Sequence, residues 1–368
     1  MSGIPAGRSY RIRNQRSNLY LNVSGFSPDE SAYVEQYRLQ TGNNRASQIW
    51  HVFPLDYGKY LFANKSSGLV MNVKYNSTAP STVVEQFRFQ APNANPAQHW
   101  MLNSKPEGAF EVVNDRSQLV LNVSEWSTAP SVVVEQYTRT TGPMIGSQRW
   151  FFEVEDEYKP VLALADLGAV GPGQIHRMTS YQPTPSDKTE PVQVGAMAYP
   201  FPLVRDPAND RRRQARENPY YILRRFSFWE RVYSYEHSGA SNYTHTDSTT
   251  VGLTRTDSQA VQKTTGISVT SKAELGFSAG PAGGVNGSAS LSSTISHELK
   301  VTTTHEEVKT HSKTEEYKRT YEAGKRVTEA IWFRSDKYVL ERLDGSVVID
   351  WTTREPNTSI TDAYPAQG

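Results

Sequence analysis

Residues 267–299 read ISVTSKAELGFSAGPAGGVNGSASLSSTISHEL, and apolar side chains alternate with polar ones on both sides of a glycine-rich centre. A turn is predicted at residues 280–284, where glycine permits a positive φ and proline fixes the bend. If Ala279 faces Val285 across that turn, odd-numbered residues oppose odd-numbered residues along both arms. The pattern therefore predicts one amphipathic β-hairpin with a single apolar face. That face comprises Ile267, Val269, Ala273, Leu275, Phe277, Val285, Ala289, Leu291, Ile295 and Leu299.

The length and polarity of this hairpin allow two interpretations. Each arm reaches the roughly 9–11 residues with which a tilted strand crosses a bilayer, and its opposite face carries mostly Ser, Thr, Asn and Gly. Such a face suits a soluble sheet before insertion and a water-filled lumen afterwards. A surface hairpin of a soluble β-sandwich shows the same alternation, so the pattern alone leaves both interpretations open.

The composition excludes several classes of protein. The chain of 368 residues is long enough for about two domains, and its net charge of +1 gives no indication of a nucleic-acid partner. Because it contains no cysteine, disulfides and thiolate chemistry are excluded. The mean hydropathy is −0.61 and no run of 18 apolar residues occurs, so a transmembrane helix is excluded and entry into a membrane would require a β-barrel. Residues 1–5 lack the pattern of a secretory signal, which predicts a cytosolic product or one released by another route.

No arrangement of residues predicts a catalytic or metal site. The eight histidines are scattered without HExxH or another metal-ligand spacing. No P-loop, GxSxG or GxGxxG motif sits between a strand and a helix. We therefore predict no metal, no cofactor and no enzymatic activity, although a facing pair of glycosidase carboxylates would leave no sequence motif.

The first half of the chain contains a threefold internal repeat. A Leu/Met-Asn-Val word, a Glu-Gln-aromatic word and a Gln-x-Trp word each recur three times, 50 residues apart. The pieces within each unit are short, β-rich and separated by turn residues. Three such units, which cannot bury their faces alone, are expected to close around a pseudo-threefold axis. The shared core is predicted to contain Trp50, Trp100 and Trp150.

This region resembles the ricin-B-type lectin β-trefoil, whose three lobes each carry a Gln-x-Trp. The resemblance implies carbohydrate binding through an acidic residue after the second strand, an aromatic platform fifteen residues later and an Asn just before the Gln-x-Trp. Here Asn replaces each acidic residue, and Ser47, Ala97 and Ser147 precede the three Gln-x-Trp words. The candidate carbohydrate-binding residues are Asn22, Glu35, Tyr37, Asn72, Glu85, Phe87, Asn122, Glu135 and Tyr137.

These departures leave an alternative open for the asparagines. Asn22 and its counterparts can also cap turns through side-chain to backbone hydrogen bonds, without contacting a ligand. Phe87 lacks the hydroxyl group of Tyr37 and Tyr137, so the middle lobe is expected to bind a sugar least well.

A change of periodicity after the acidic run 153–157 marks the predicted domain boundary. Residues 1–155 are assigned to the trefoil and residues 156–368 to a second domain. Ser, Thr and β-branched residues dominate positions 243–321, which predicts long strands. We interpret the arginine-rich run 211–216 as a solvated loop, with an anionic-surface patch as the alternative. The segment from residue 353 to the C terminus is interpreted as a loose, turn-rich tail.

Long Ser/Thr-rich antiparallel strands around an amphipathic hairpin resemble the aerolysin-type β-pore-forming toxins. The motifs PFPLVRDP at 200–207, NPYYIL at 218–223 and FW at 228–229 narrow the resemblance to the Bin-like insecticidal toxins, which spore-forming bacteria carry as crystalline inclusions. The resemblance implies an all-β protein, with an N-terminal β-trefoil and an elongated C-terminal antiparallel sheet domain of the aerolysin-like type. Some members of the family act in pairs, so a second toxin subunit remains open as a partner.

These patterns together predict an insecticidal pore-forming toxin. The trefoil would bind glycans or a glycoconjugate receptor on the target cell, and homo-oligomers would insert the hairpin as a transmembrane barrel, since only a closed barrel leaves no unpaired strand edge in lipid. The candidate sites of proteolytic activation are Arg211, Arg212, Arg213 and Arg354. A soluble lectin with a non-perforating oligomerisation or defence domain is the alternative, and a glycan-directed enzyme with a lectin appendage is a third class.

Overall fold

The structure is a computed structural model that describes residues 4–90, 95–164, 171–182, 186–252, 259–261, 267–270, 276–279 and 312–366. It consists of β-strands joined by turns and short helices, which confirms the predicted all-β class. The strands are β1 (Arg8–Asn14), β2 (Tyr20–Val23), β3 (Val34–Tyr37), β4 (Ile49–Pro54), β5 (Lys59–Asn64), β6 (Val70–Val73), β7 (Thr82–Phe87), β8 (Trp100–Ser104), β9 (Phe110–Asn114), β10 (Val120–Val123), β11 (Val132–Tyr137), β12 (Trp150–Glu157), β13 (Val192–Pro200), β14 (Tyr220–His237), β15 (Tyr243–Gly252), β16 (Ile267–Thr270), β17 (Gly276–Ala279), β18 (Ser312–Tyr321), β19 (Val327–Glu341) and β20 (Val347–Tyr364).

The helical segments are short. The α-helices whose ends both lie among the described residues are α1 (Lys159–Leu162) and α2 (Arg211–Glu217). The 3₁₀ segments are Ser24–Phe26, Gly42–Gln48, Asp56–Gly58, Lys74–Asn76, Pro96–Gln98, Pro106–Gly108, Ser124–Trp126, Gly142–Gln148 and Phe201–Leu203.

Strands β1–β12 form a trefoil whose three lobes are tied to one another in a ring. The Gln of each Glu-Gln-aromatic word donates a hydrogen bond from Nε2 to a backbone carbonyl in the turn of a neighbouring lobe. The donations run from Gln36 to Ala129, from Gln86 to Asp29 and from Gln136 to Ala79, at 2.7, 2.7 and 2.8 Å. The periodic glutamines therefore satisfy backbone acceptors that sheet pairing leaves free.

The Gln-x-Trp words form buried hydrogen bonds to the backbone of their own lobe. Gln48 accepts a hydrogen bond from the backbone N–H of Gln40 at Oε1 and donates from Nε2 to the carbonyl of Arg38, both at 2.8 Å. Trp50 Nε1 donates to the carbonyl of Leu21 at 3.2 Å, so its ring is buried with its polar atom satisfied. Trp100 and Trp150 make the equivalent bonds, and all three rings lie in one buried apolar cluster.

The second part of the chain forms a six-stranded antiparallel sheet in the order β13-β14-β19-β20-β15-β18. Its centre is the long pairing of β14 with β19, which extends from Ile222 opposite Glu341 to His237 opposite Val327. Trp229 of β14 and Trp332 of β19 are buried and lie in one apolar cluster. β15 and β18 pair with each other from Tyr243–Tyr321 to Gly252–Ser312 and form a ribbon at one edge of the sheet.

The trefoil and the second sheet share a buried apolar cluster. Phe53 contacts both Phe201 and Tyr220 edge-on, with ring centroids 5.8 and 5.0 Å apart, and Leu61 belongs to the same cluster. His51 is fully buried beside them and its Nε2–H donates to the carbonyl of Ala215 at 2.7 Å. Burial lowers the pKa of His51 to about 3, so the imidazole is neutral at physiological pH.

The repeat identifies this contact surface in the sequence itself. The positions equivalent to Phe53 hold Asn103 and Glu153, and those equivalent to Leu61 hold Glu111 and Arg11. Apolar residues therefore replace polar ones in the lobe that packs against the second sheet. Burying an aromatic ring and a leucine contributes about 1.5–3 kcal/mol for each side chain.

Gly68 marks the closest approach of the trefoil to α2. Its φ is +75°, and a Cβ at this position would lie 2.5 Å from the carbonyl oxygen of Arg211. The equivalent positions hold Asn18 and Gln118, which also have positive φ values of 59° and 61°. Glycine is therefore needed here because helix α2 packs against this turn, and not because of the turn conformation alone.

Two expectations for the second domain are wrong. The run 211–216 is not a solvated loop but most of helix α2, which Asp210 caps by accepting from Arg213 N at 2.8 Å and which buries Gln214 and Ala215. The guanidinium of Arg211 donates to the carbonyls of Phe201 and Val204 at 2.7 and 2.8 Å.

The second correction concerns the C-terminal segment. Residues 353–364 are not a loose tail, because they belong to β20, which pairs with β19 as far as Tyr364. In the pairing of β19 with β20, Arg354 lies opposite Ser335, and the next paired residue, Ser359, lies opposite Phe333. Pro356, which indicated a turn, lies between these two pairs, so its missing N–H removes no hydrogen bond between the strands. Proteolysis at Arg211, Arg212, Arg213 or Arg354 remains a prediction, and it would require local opening of these elements.

The predicted hairpin 267–299 differs from the described backbone in its register. Residues 267–279 were expected to form one continuous arm, but β16 and β17 pair antiparallel with each other, with Ile267 opposite Ala279 and Val269 opposite Phe277. Odd-numbered residues still oppose odd-numbered ones. The predicted apolar positions Ala273, Leu275, Val285, Ala289, Leu291, Ile295 and Leu299 lie outside the described residues.

Candidate functional site

Each trefoil lobe carries an equivalent group of one asparagine, one glutamate and one aromatic residue on a two-stranded hairpin. We call each of these groups a cup. The first cup lies on β2 and β3, where Asn22 is the register partner of Glu35. Tyr37 follows Glu35 by two residues and shares its face of the strand. The middle cup has Asn72, Glu85 and Phe87 on β6 and β7, and the third has Asn122, Glu135 and Tyr137 on β10 and β11. The structure thus brings together the three residue types that the repeat predicted for each site.

The asparagine amides are engaged within the protein. Asn22 Nδ2 donates to Glu35 Oε1 at 2.9 Å and to its neighbour's carbonyl, and its Oδ1 accepts from Ser47 Oγ at 2.9 Å. In the third cup Ser147 takes the part of Ser47, donating to Asn122 at 3.3 Å. Because each amide is buried and bonded on both sides, its role in the cup is to hold and orient the glutamate.

The glutamates form the floor of the cups. Glu35, Glu85 and Glu135 are nearly fully buried, and each accepts a hydrogen bond at Oε1 from the asparagine opposite. Burial raises the pKa of Glu85 and Glu135 above the usual value, while the hydrogen bond from asparagine works in the opposite direction. A sugar hydroxyl that donates to such a carboxylate would replace hydration lost on folding.

The structure adds an aromatic residue to each outer cup. Phe26 contacts Tyr37 edge-on with ring centroids 5.6 Å apart, and Trp126 contacts Tyr137 in the same way at 5.9 Å. The equivalent position of the middle cup holds Asn76. Two adjoining rings beside a carboxylate suit the apolar face and the hydroxyl edge of a pyranose.

These added residues adopt an uncommon backbone conformation. Phe26, Asn76 and Trp126 have φ values of 56°, 54° and 52°, in the left-handed region that bulky residues seldom occupy. The strain recurs at the same place in all three lobes, which is typical of positions where side-chain placement matters more than local stability.

Sequence reasoning missed Phe26 and Trp126, and it also missed Asn95. Asn95 donates from Nδ2 to Asn72 Oδ1 at 3.2 Å, so it performs in the middle cup the function of Ser47 and Ser147. Its distance from the Gln-x-Trp word differs from theirs by two residues, which hid it. The aromatic residues at positions 26 and 126 were readable from the 50-residue period.

The ribbon of β15 and β18 is the second candidate element. Among the described residues, β15 joins the rest of the sheet through one ladder pair, Gly252 with Arg354, whereas β15 and β18 pair along their full length. The chain between these two strands contains the alternating stretch 267–299. Within the described ranges, no helix is long and apolar enough to cross a membrane. The same ranges contain no group of three or more His, Asp or Glu side chains arranged to hold a metal ion.

Comparison with known proteins gives a separate match for each part of the chain. Residues 192–366 match the family described as Insecticidal Crystal Toxin, P42, and residues 4–87 match the family described as Ricin-type beta-trefoil lectin domain-like. No curated protein sequence matches the chain significantly.

Among solved structures, the chain is similar to Cry35Ab1, with 16% identity and a TM-score of 0.75 over 99% of this chain and 91% of that chain. At this identity the likeness establishes the fold. It is also similar to the designed threefold-symmetric protein ThreeFoil, with 26% identity and a TM-score of 0.36 over 39% of this chain and 97% of that chain. A third similar structure is the C-terminal half of the earthworm R-type lectin in complex with GalNAc, with 13% identity and a TM-score of 0.33 over 40% of this chain and 99% of that chain.

Proposed function

We propose that this chain, which joins a ricin-type β-trefoil lectin-like domain to an insecticidal crystal toxin domain, is a toxin that binds cell-surface glycans and perforates the target membrane as a homo-oligomer. The trefoil, assigned to residues 1–155, binds the glycan, and residues 156–368 form the pore. The proposal involves no catalytic step.

The observation that carries the glycan-binding part is the threefold cup. A buried carboxylate, fixed by an asparagine and flanked by aromatic rings, occurs at the same place in each lobe. A free monosaccharide makes few contacts in so shallow a site, so single-site affinity is expected to be weak. Three cups on one rigid body allow multivalent attachment to a glycan-coated surface, which raises the effective affinity without new contacts.

The position of the β15–β18 ribbon at the edge of the sheet supports the membrane-perforating part. The ribbon is joined to the body by one described ladder pair and by side-chain contacts, so it can separate at lower cost than a central strand that is paired on both sides. In lipid a lone hairpin would leave edge N–H and C=O groups unsatisfied, at several kcal/mol each, so copies of the chain must close a ring. In this proposal β16 and β17 part from each other, and residues 267–299 extend into the two arms that cross the bilayer.

The glycan-binding part is tested by titrating the full-length chain with a glycan array and with free galactose. Replacing Glu35 and Glu135 together by Gln should weaken binding at least about tenfold, because a charge-assisted hydrogen bond is lost in both outer cups. Glu217→Gln on α2 is the matched control and should leave binding unchanged. Wild-type protein that binds no glycan would refute this part of the proposal.

The membrane-perforating part is tested with a reversible lock. Ser268 and Ser278 are register partners on β16 and β17, at a spacing that a disulfide can span, and the chain has no other cysteine to interfere. In the double variant Ser268→Cys/Ser278→Cys, we expect dye release from glycan-bearing liposomes after reduction and none when oxidised. Each single variant serves as a control that should release dye under both conditions.

Two outcomes would contradict the membrane-perforating proposal. Dye release by the oxidised double variant would show that residues 267–279 do not open. Glycan binding without dye release by the wild-type chain, alone or after protease treatment, would favour the soluble lectin. Release that appears after addition of a second protein would identify the chain as one half of a two-component toxin.

A further inference from the structure

The middle cup differs from the other two in the charge at its rim. Lys74 stands where the outer lobes have Ser24 and Ser124, and Tyr75 stands where they have Gly25 and Glu125. The guanidinium of Arg88 lies 5.5 Å from the ring centroid of Phe87, but Arg38 occupies the equivalent position of the first lobe, so Lys74 is the cation that distinguishes the middle cup. The third cup has Thr138 at the position of Arg88 and an acidic residue at the position of Tyr75, so its rim carries the opposite sign.

Lys74 is held between two tyrosine rings. Its Nζ donates to Tyr33 OH at 3.0 Å and lies 4.6 Å from the centroid of that ring and 5.2 Å from the centroid of Tyr75. Tyr33 comes from the first lobe, where its backbone bridges to Glu85, and Val83 and Val133 occupy the equivalent positions. Tyr75 is 87% exposed, so this cation is fixed in place at the surface without being buried.

The floor of the middle cup offers an unused acceptor. Glu85 is 4% exposed, and its Oε1 accepts from Asn72. Its Oε2 is buried and has no donor in good hydrogen-bond geometry among the described residues; the side chain of Ser31 is the neighbouring donor and favours the charged form. A buried carboxylate oxygen without a donor is costly, and a ligand hydroxyl is a group that would satisfy it.

We propose that the middle cup binds an anionic sugar, a pyranose carrying a carboxylate or sulfate group. This inference rests on the proposed glycan-binding function and assigns a substrate class to one of its three sites. A hydroxyl of the sugar donates to Glu85 Oε2, and the oxyanion accepts from Lys74. An ammonium group has three hydrogens and Tyr33 takes one, so two remain for the ligand.

The outer cups supply the contrast. They present two aromatic rings and no lysine, which suits a neutral sugar whose apolar face stacks on the platform. Phe87 lacks a hydroxyl group, which predicts weak binding of a neutral sugar in the middle lobe. Under this proposal the middle cup instead binds a different class of ligand. Attraction between Lys74 and an oxyanion would be partly screened by salt, since the cation lies at the surface.

The test measures the ratio of affinities for anionic and neutral sugars in the full-length chain. The probes are N-acetylneuraminic acid for a carboxylate, galactose 6-sulfate for a sulfate and galactose as the neutral reference. Lys74→Ser copies the residue of the outer lobes, so it is compatible with the fold. We expect it to lower the ratio about tenfold or more, with a smaller effect in high salt. The reverse graft, Ser124→Lys with Glu125→Tyr, should raise the ratio.

Each result supports or overturns the inference. An unchanged ratio in Lys74→Ser, or anionic sugars bound no better than galactose by the wild-type chain, overturns it. So does a variant that loses binding to phosphatidylserine vesicles but not to the sugars, which would assign Lys74 to a lipid surface. If galactose is bound but the anionic sugars are bound no better, and Lys74→Ser and Glu85→Gln change the affinity for neither, the proposed function stands and this inference fails. If the wild-type chain binds no sugar at all, both fail.

Discussion

Arg354 on β20 forms an ion pair with Glu230 on β14, with Nη2 2.6 Å from Oε2, although β19 lies between these strands in the sheet. The same guanidinium donates from Nη1 to Thr249 Oγ1 at 2.6 Å and to the carbonyl of Thr250 at 3.0 Å. Arg354 also belongs to the one described ladder pair between β20 and β15. Arg354 is therefore one of the residues that hold the β15–β18 ribbon to the body of the sheet, beside ring contacts such as that of Tyr317 with Phe333.

Replacing Arg354 by Met should destabilise the protein and loosen the ribbon. The side chains of Arg354 and Glu230 are 22% and 17% exposed, so the change leaves a largely buried carboxylate with Lys188 as its remaining cation. We expect a loss of about 2–3 kcal/mol in the free energy of unfolding, below the full cost of an unpaired buried charge because of Lys188. Urea unfolding measures the loss, and hydrogen exchange of the β15 amides reports the loosening.

Lys337→Met is the matched control for this change. Lys337 on β19 pairs with Asp350 on β20 in the same sheet, but these two side chains are 43% and 48% exposed. A pair in that position contributes about 1 kcal/mol or less. Equal effects of the two variants would contradict the role assigned to Arg354.

The stability of the second sheet should fall as pH rises towards 7. Glu355 lies beside Asp336, and burial together with that neighbouring carboxylate raises the pKa of Glu355 from 4.5 to about 7, against the opposing effect of Arg334 and Arg225. A carboxyl group with a raised pKa stabilises the fold while it is protonated, and this contribution is lost between about pH 4.5 and 7. The loss is about 3 kcal/mol at most.

Glu355→Gln isolates this contribution, since the amide is neutral at all these pH values. We expect the wild-type chain to lose more unfolding free energy than the variant between pH 4.5 and 8, and the variant to be the more stable of the two at pH 8. Thermal and urea unfolding at several pH values give the difference curve, in which other titrating groups such as His51 cancel. Parallel curves for the two proteins would show that Glu355 does not titrate in this range.

Gly68→Ala should weaken the packing of the trefoil against the second sheet. The added Cβ would lie 2.5 Å from a backbone oxygen of α2, which cannot move without shifting the helix. Gly108→Ala is the control, because Gly108 has a similar φ of +77° and nothing within 4 Å of the added atom. Both variants carry the cost of a left-handed alanine, and Gly68→Ala should lose about 1–3 kcal/mol more in the free energy of unfolding. Calorimetry that gives equal losses would contradict the close contact.

The trefoil could be predicted from the sequence because the residues that form each lobe recur with a fixed period. The 50-residue period fixes which residues are equivalent, and the register pairs of Asn22 with Glu35 and of Asn72 with Glu85 follow the words that recur. The surface that packs on the second sheet was also readable, since Phe53 replaces Asn103 and Glu153. It was missed because departures from the repeat were considered only at candidate binding positions.

The second sheet was harder to predict because its signals are tertiary. Pro356 indicated a turn, and only the pairing with β19 shows that the register jumps at this position and tolerates it. The arginine-rich sequence of α2 indicated an exposed segment, but Gln214 and Ala215 within it are buried. Their burial depends on tertiary packing, including contact with the trefoil. Neither the register change at Pro356 nor the burial of these α2 residues can be predicted from the local sequence pattern.

Trp126→Asn should weaken sugar binding by the third cup. The change copies Asn76 of the middle lobe, and asparagine tolerates the left-handed backbone that Trp126 adopts, so the fold should be preserved. It removes the ring that contacts Tyr137 edge-on at 5.9 Å. Loss of one aromatic wall should lower the affinity for galactose about tenfold when the other cups are silenced by Glu35→Gln and Glu85→Gln. Tyr57→Ala is the control, because it removes an exposed ring of the trefoil outside the cups and should leave the affinity for galactose unchanged. A similar loss of affinity in both variants would mean that Trp126 acts through stability and not through contact with the sugar.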